Sequence, residues 1–212
     1  AEKPAAAPPP DPHPLPRATP ESQGVPSTAV NALFAAIDGD EAAAAQAMLV
    51  LRHGKVIAEA SWAPYSLTLP HQLYSLSKSV TATAIGMLAD EGKLDIDERL
   101  CDIFFDKMPH NPSHPSYTLT VRHLLNMSTG AVFNEIGSAL GADWEKEFFQ
   151  NGVHFPAGTE FFYNSMNTYM LAAIVRRRTG ETLMQYLTPR LFEPLGIVDA
   201  YWETCPNGTE KG

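Results

Sequence analysis

Cysteine is scarce in this 212-residue chain, which has only Cys101 and Cys205. Two thiols so far apart make neither a disulfide framework nor a metal motif, and they read best as unrelated. Basic charge is also short: 15 Lys and Arg stand against 24 Asp and Glu, a formal net charge of -9. Phosphate backbones are held by clustered Lys and Arg, so a nucleic-acid partner is not expected. The densest basic run, Arg176-Arg177-Arg178, reads as the solvated end of a helix that stops at Gly180. No apolar run approaches the roughly 20 residues of a membrane-spanning helix, so no transmembrane segment is expected. A metal site is not expected either. His110 and His114 have the i, i+4 spacing of a ligand pair, but Pro112 and Pro115 break any helix there, and no third ligand stands nearby.

What is present is ordinary for a globular domain, with 44% hydrophobic and 18% charged residues. The first twenty residues differ from the rest, with Pro4, Pro8, Pro9, Pro10, Pro12, Pro14, Pro16 and Pro20 among alanines. Proline fixes φ and removes a donor, so residues 1–20 are expected to be an extended, disordered leader. No initiator Met or charged-then-apolar signal precedes it, as in an exported protein whose signal peptide has been removed, and a periplasmic or extracellular location is expected.

Residues 21–212 read as one domain in two parts. In residues 21–62, Ala29, Val30, Leu33, Phe34 and Ile37 have helical spacing, with Ser27 or Thr28 as N-cap and Gly39 past the end. Two β-prone runs, Ala47 to Arg52 and Lys55 to Ala60, flank His53-Gly54 and read as a hairpin. Residues 63–212 are mainly helical. Val80, Ala84, Ile85, Met87 and Leu88 share one face of a helix starting at Ser75 and closed by Gly92. Thr120 caps a segment through Val121 and Leu125, and Asp143 starts a short helix through Phe148. Longer helices are expected over 167–178 and 181–192. The pairs Phe104-Phe105, Phe148-Phe149 and Phe161-Phe162 are expected in the core or on a cleft wall.

The chemistry concentrates in two places. In Ser75-Leu76-Ser77-Lys78, positions i and i+3 share a helix face, so the Lys78 ammonium can reach the Ser75 hydroxyl. A helix start also presents unpaired N–H groups and a positive dipole, which favour an alkoxide. Serine at its ordinary pKa is a weak nucleophile and needs such activation. Ser77 and Ser79 read as surface or packing residues. The second place is Tyr163-Asn164-Ser165, ahead of a long helix. Tyrosine is an unusual base because its ordinary pKa is near 10, but an adjacent ammonium such as Lys78 lowers it. Ser165 can then hydrogen-bond Lys78 or a substrate carbonyl. His71, just before the nucleophile, reads as structural.

The run Leu73-Tyr74-Ser75-Leu76-Ser77-Lys78-Ser79-Val80 resembles the nucleophile segment of serine hydrolases of the penicillin-binding-protein and class C β-lactamase type. Glu91-Gly92-Lys93-Leu94, Arg122 to Gly130, Tyr163-Asn164-Ser165 and Glu193-Pro194-Leu195-Gly196 follow in the family's order, and the similarity covers about residues 20–202. It implies an α+β fold, with an antiparallel sheet flanked by helices beside an all-helical subdomain and the site between them. It implies Ser75 as acylated nucleophile, Lys78 as its electrostatic and proton-relay partner, Tyr163 as base and later acid, and Ser165 as support. No cofactor is implied. Ser165 stands where the β-lactamases usually carry Asn, as in the branch of aminohexanoate-oligomer hydrolases and family VIII carboxylesterases.

The expected activity is therefore hydrolysis of small esters or amides through a Ser75 acyl-enzyme. Alternatives are a D-Ala peptidase or weak β-lactamase and, in another class, a non-catalytic sensor that is acylated once. The family's Lys-Thr-Gly or His-x-Gly strand, which gives one of two oxyanion donors, is not found in the sequence. A lone hairpin also leaves its edges open. A continuation after Gly212, on a nicked or separate chain, is therefore expected as a partner.

Overall fold

The computed structural model describes residues 15–40, 42–133 and 141–212. Most of the expected leader lies outside the described residues. Its last part is paired: the Val56 N–H donates to the Pro16 carbonyl at 2.7 Å, and the Ala18 N–H donates to the Val56 carbonyl at 3.0 Å. Arg17 adds an ion pair to Glu59 at 2.9 Å. The extended backbone that proline imposes thus serves here as a short stretch of strand pairing. The chain divides into two compact units between Gln72 and Leu73, ten residues beyond the expected change of character.

In the first unit, α1 covers Ser27–Asp38. Its N-cap is Pro26, one residue before the expected cap. Glu21 takes over the capping, accepting the Ser27 N–H at 2.8 Å. Strands β1 (Ala47–Arg52) and β2 (Lys55–Ser61) pair antiparallel. Positive φ at His53 and Gly54 is what a tight hairpin turn with two left-handed residues requires. The register slips between Val50 and Leu51, which lets the consecutive Val56 and Ile57 both be buried. The loop after β2 belongs to this unit because His71 reaches Gln46 at 3.1 Å and the Ser66 carbonyl at 3.3 Å. His71 is thus committed to holding a loop.

The second unit is helical. A 3-10 turn at Tyr74–Leu76 leads into α2 (Ser77–Asp90), so Ser75 precedes the α-helix instead of opening it. Short helices α3 (Leu100–Ile103), α4 (Val121–Leu125) and α5 (Trp144–Gln150) follow. Helix α6 (Ser165–Thr179) is the centre of the unit, with every residue from Met166 to Val175 buried. Helix α7 is shorter than expected, Leu183–Leu187, and passes into a π turn over Thr188–Phe192. Pro189 has no N–H to continue the α ladder, which accounts for the change.

The core joins Ala84, Ile85 and Leu88 of α2 to Leu124 of α4, Phe148 and Phe149 of α5 and the α6 side chains. Of the six paired phenylalanines, Phe104, Phe148 and Phe149 are in this core, whereas Phe105 and Phe161 are strongly exposed. The arginine run does end α6 before Gly180, with Arg176 exposed, but its cations are partnered and not only solvated. Arg177 binds Asp106 at 2.6 Å and Glu145 at 2.5 Å, Arg178 pairs with Glu98, and Arg176 donates to the Asn207 carbonyl at 2.9 Å. Each cation is thus spent tying α6 to a preceding or following segment.

The last residues fold back onto the same core. Thr204 and Glu210 form a bridge, and Cys205, Thr209 and Glu210 are buried. The Glu210 carboxylate accepts the Leu183 and Met184 N–H groups at 3.1 and 3.0 Å, capping α7. Both cysteines are free. Among the described residues no helix is long and apolar enough to cross a membrane.

Candidate active site

Ser75 sits on the 3-10 turn, and its geometry begins one residue earlier. Tyr74 has φ +46°, the left-handed region that a bulky L-residue rarely occupies. The Ser77 hydroxyl donates to the Tyr74 carbonyl at 2.6 Å and pins this turn. Ser77, expected to be a surface or packing residue, therefore shapes the nucleophile loop. In a 3-10 turn side chains three apart lie nearly in line, and Lys78 Nζ donates to Ser75 Oγ at 3.1 Å. Sequence spacing predicts that reach, although the turn that delivers it is tighter than an α-helix.

The partner comes from 88 residues along the chain. The Tyr163 hydroxyl donates to Ser75 Oγ at 2.5 Å, and Lys78 Nζ lies 5.3 Å from the centroid of the Tyr163 ring. One serine oxygen thus sits between a phenol and an ammonium, and all three groups reach solvent. Ser165, the first residue of α6, is half-buried, and its carbonyl accepts the Thr168 hydroxyl at 3.0 Å.

What holds Tyr163 there is Asn164, a residue that sequence reasoning did not single out. It is fully buried and is the N-cap of α6. Its Oδ1 accepts the Met166 N–H at 2.8 Å, and its Nδ2 donates to the Ala131 carbonyl at 2.8 Å. The cap preference of Asn was a usable signal, but the Ala131 contact was not. The segment before Tyr163 lies along residues 127–130. The Phe162 N–H donates to the Met127 carbonyl, the Gly158 N–H to that of Ser128 and the His154 N–H to that of Gly130, each at 2.8 Å. Gly130 has φ +74°, and a Cβ there would lie 2.1 Å from the Phe155 carbonyl oxygen, so only glycine allows this approach.

Beneath the loop lies His123. Its Nδ1 accepts the Thr120 N–H at 3.1 Å, closing the start of α4. Burial pushes its pKa down from 6.5, so the ring favours the neutral form that this acceptor role needs.

His110 and His114 are apart from these groups. The Nδ1 of His114 accepts the Ser116 N–H at 3.3 Å. Among the described residues no cluster of three or more His, Cys, Asp or Glu side chains is placed to hold a metal ion.

Comparison with known proteins bears on the family and the fold. The family model "Beta-lactamase" matches residues 30–212. The protein flp of Staphylococcus aureus (strain MW2) is 27% identical over 168 residues, which are 70% of this chain and 32% of that protein. A lovastatin esterase of Penicillium rubens is 26% identical over 154 residues, 60% of this chain and 38% of the enzyme. A structure from Bacillus anthracis, assigned as a 6-aminohexanoate-dimer hydrolase, superposes with a TM-score of 0.67 at 22% identity. That superposition covers 84% of this chain and 51% of the other. The chain thus spans about a third of the length of these curated relatives and about half of that solved structure.

Proposed function

The chain belongs to the Beta-lactamase family, and from that premise we propose that it provides the acylation site of a serine hydrolase acting on small esters or amides. The observation that carries the proposal is the 2.5 Å contact between Tyr163 Oη and Ser75 Oγ, with Lys78 Nζ on the same oxygen. An alcohol held between a potential base and a cation is what nucleophilic catalysis requires. With Tyr163 as phenolate, the hydrogen bond reverses and the phenolate takes the Ser75 proton as Oγ attacks the carbonyl carbon. The Lys78 ammonium offsets the negative charge of this step. The tetrahedral intermediate collapses, the bond to the leaving oxygen or nitrogen breaks, and Tyr163 returns the proton to that atom. Tyr163 next deprotonates water, which attacks the acyl-Ser75 ester, and Ser75 regains its proton as the acid leaves. The net change is one water consumed per ester or amide bond. An esterase among the relatives is in keeping with this substrate class.

The test is labelling with a fluorophosphonate probe, paired with turnover of a chromogenic ester. Wild-type protein is expected to incorporate one label at Ser75 and to release product repeatedly. Ser75→Ala is expected to lose both while keeping its thermal transition, because the residue is exposed. Labelling that persists in Ser75→Ala rejects the nucleophile. Labelling without repeated turnover in the wild type favours the sensor reading.

A further inference from the structure

Three large side chains near Ser75 in sequence or beside its Tyr163 partner are exposed. Tyr74 is 80% exposed, Leu76 61%, and Phe161, two residues before Tyr163, 72%. Tyr74 and Leu76 flank the nucleophile directly. Phe161 and Phe162 lie on the strand of loop whose next residue touches Ser75 Oγ.

Position 74 is the least expected of these. Its backbone is left-handed, where Gly, Asn or Asp is the ordinary occupant. A bulky phenol instead occupies a strained backbone position, and the Ser77 hydroxyl is committed to holding that turn. Outliers of this kind cluster at functional sites, because the surrounding structure must maintain them. An exposed aromatic ring beside a nucleophile offers a large apolar face to whatever is bound there. After the first chemical step only the acyl part of the substrate stays on Ser75 Oγ, one residue from Tyr74, so the acyl part is the portion a Tyr74 contact would read in both steps.

We propose that Tyr74 is a specificity-determining residue which, with Leu76 and Phe161, selects substrates whose acyl group is aromatic. This rests on the hydrolase reading above and names its substrate class. The balance of the reaction is unchanged: an arylacyl ester and water give an arylalkanoic acid and an alcohol.

The experiment compares kcat/KM for 4-nitrophenyl phenylacetate and 4-nitrophenyl acetate, which share a leaving group. Each value is corrected for the Ser75→Ala background and normalised to the ester's hydroxide rate. One apolar contact discriminates by about tenfold or more, so the phenylacetate-to-acetate ratio is expected to be at least about ten in the wild type. Tyr74→Asn, which tolerates the left-handed backbone, is expected to bring the ratio near one. Tyr74→Phe is expected to keep it. Should Tyr74→Asn lose its thermal transition, Phe161→Ser is read in its place with the same expectation. A wild-type ratio near one, or one unchanged in the polar variant, overturns the selectivity while leaving the hydrolase reading intact. Wild-type rates equal to the Ser75→Ala background overturn both.

Discussion

Replacing Tyr163 by Phe keeps the ring beside Lys78 and removes one oxygen. Ser75 Oγ would then retain the Lys78 contact but lose the group 2.5 Å away that can accept its proton. General-base groups contribute about 10²–10⁴-fold, and the acylation rate of Tyr163→Phe, measured from the ester burst, is expected to fall by that factor. A near-normal rate would mean that another group moves the proton. Ser75, Lys78 and Tyr163 were legible as candidates because each carries distinctive chemistry within a short motif. Asn164 and Ser77 were not, because their work depends on the Ala131 carbonyl 33 residues earlier and on a left-handed Tyr74. Local spacing does not report either condition.

At the level of elements, the loop carrying Tyr163 depends on α4 through His123. Nδ1 of this ring accepts the Thr120 N–H, and the ring packs under Gly158, where an added Cβ would lie 3.2 Å from Nε2. Burial lowers its pKa, Asp97 opposes that shift and Arg122 adds to it. As pH falls through about 6.5, the unfolded chain gains a proton at this position before the folded chain does. The unfolded state then binds more protons, so stability decreases with falling pH until the folded ring also titrates. The carboxylates of Asp97, Asp106 and Asp143 are held below their ordinary range, for Asp97 and Asp106 chiefly by hydrogen bonds from Arg122 and Arg177 and for Asp143 by one from Lys107 against the effect of burial. Their losses therefore begin only at more acid pH. His123→Gln keeps an acceptor suited to this capping position and does not titrate. Its thermal midpoint is expected to drop less than that of the wild type between about pH 7.5 and about pH 5.5. An equal drop in both proteins would assign the acid sensitivity elsewhere. The hairpin and most helices followed from periodicity, caps and turn residues. The early end of α7 did not, although Pro189 signals it. The 3-10 turn at Ser75 was hidden because i, i+3 proximity is common to both helix types.

Across the second unit, nearly everything converges on α6. Helix α2 supplies Ala84, Ile85 and Leu88, α5 supplies Phe148 and Phe149, and the final bridge contributes Cys205, whose Sγ lies 3.7 Å from the Tyr169 hydroxyl. The three arginines at its end are anchored by Asp106, Glu145, Glu98 and the Asn207 carbonyl. Composition suggested a solvated terminus there because charge alone does not reveal which acids fold back to meet it. From Met166 to Val175 this helix has no face toward water. Its amide hydrogens are therefore expected to exchange with deuterium only when the whole unit unfolds. In a mass-spectrometric time course, the peptide spanning Met166 to Val175 should be the slowest in the second unit. Its exchange free energy should equal that from denaturant unfolding of the same unit, and faster exchange would show that α6 can detach alone. Because Tyr163 and Ser165 bracket Asn164, the N-cap of this helix, the Ser75 contact is built on what should be the slowest clock in the second unit. Its geometry should persist for as long as the unit stays folded.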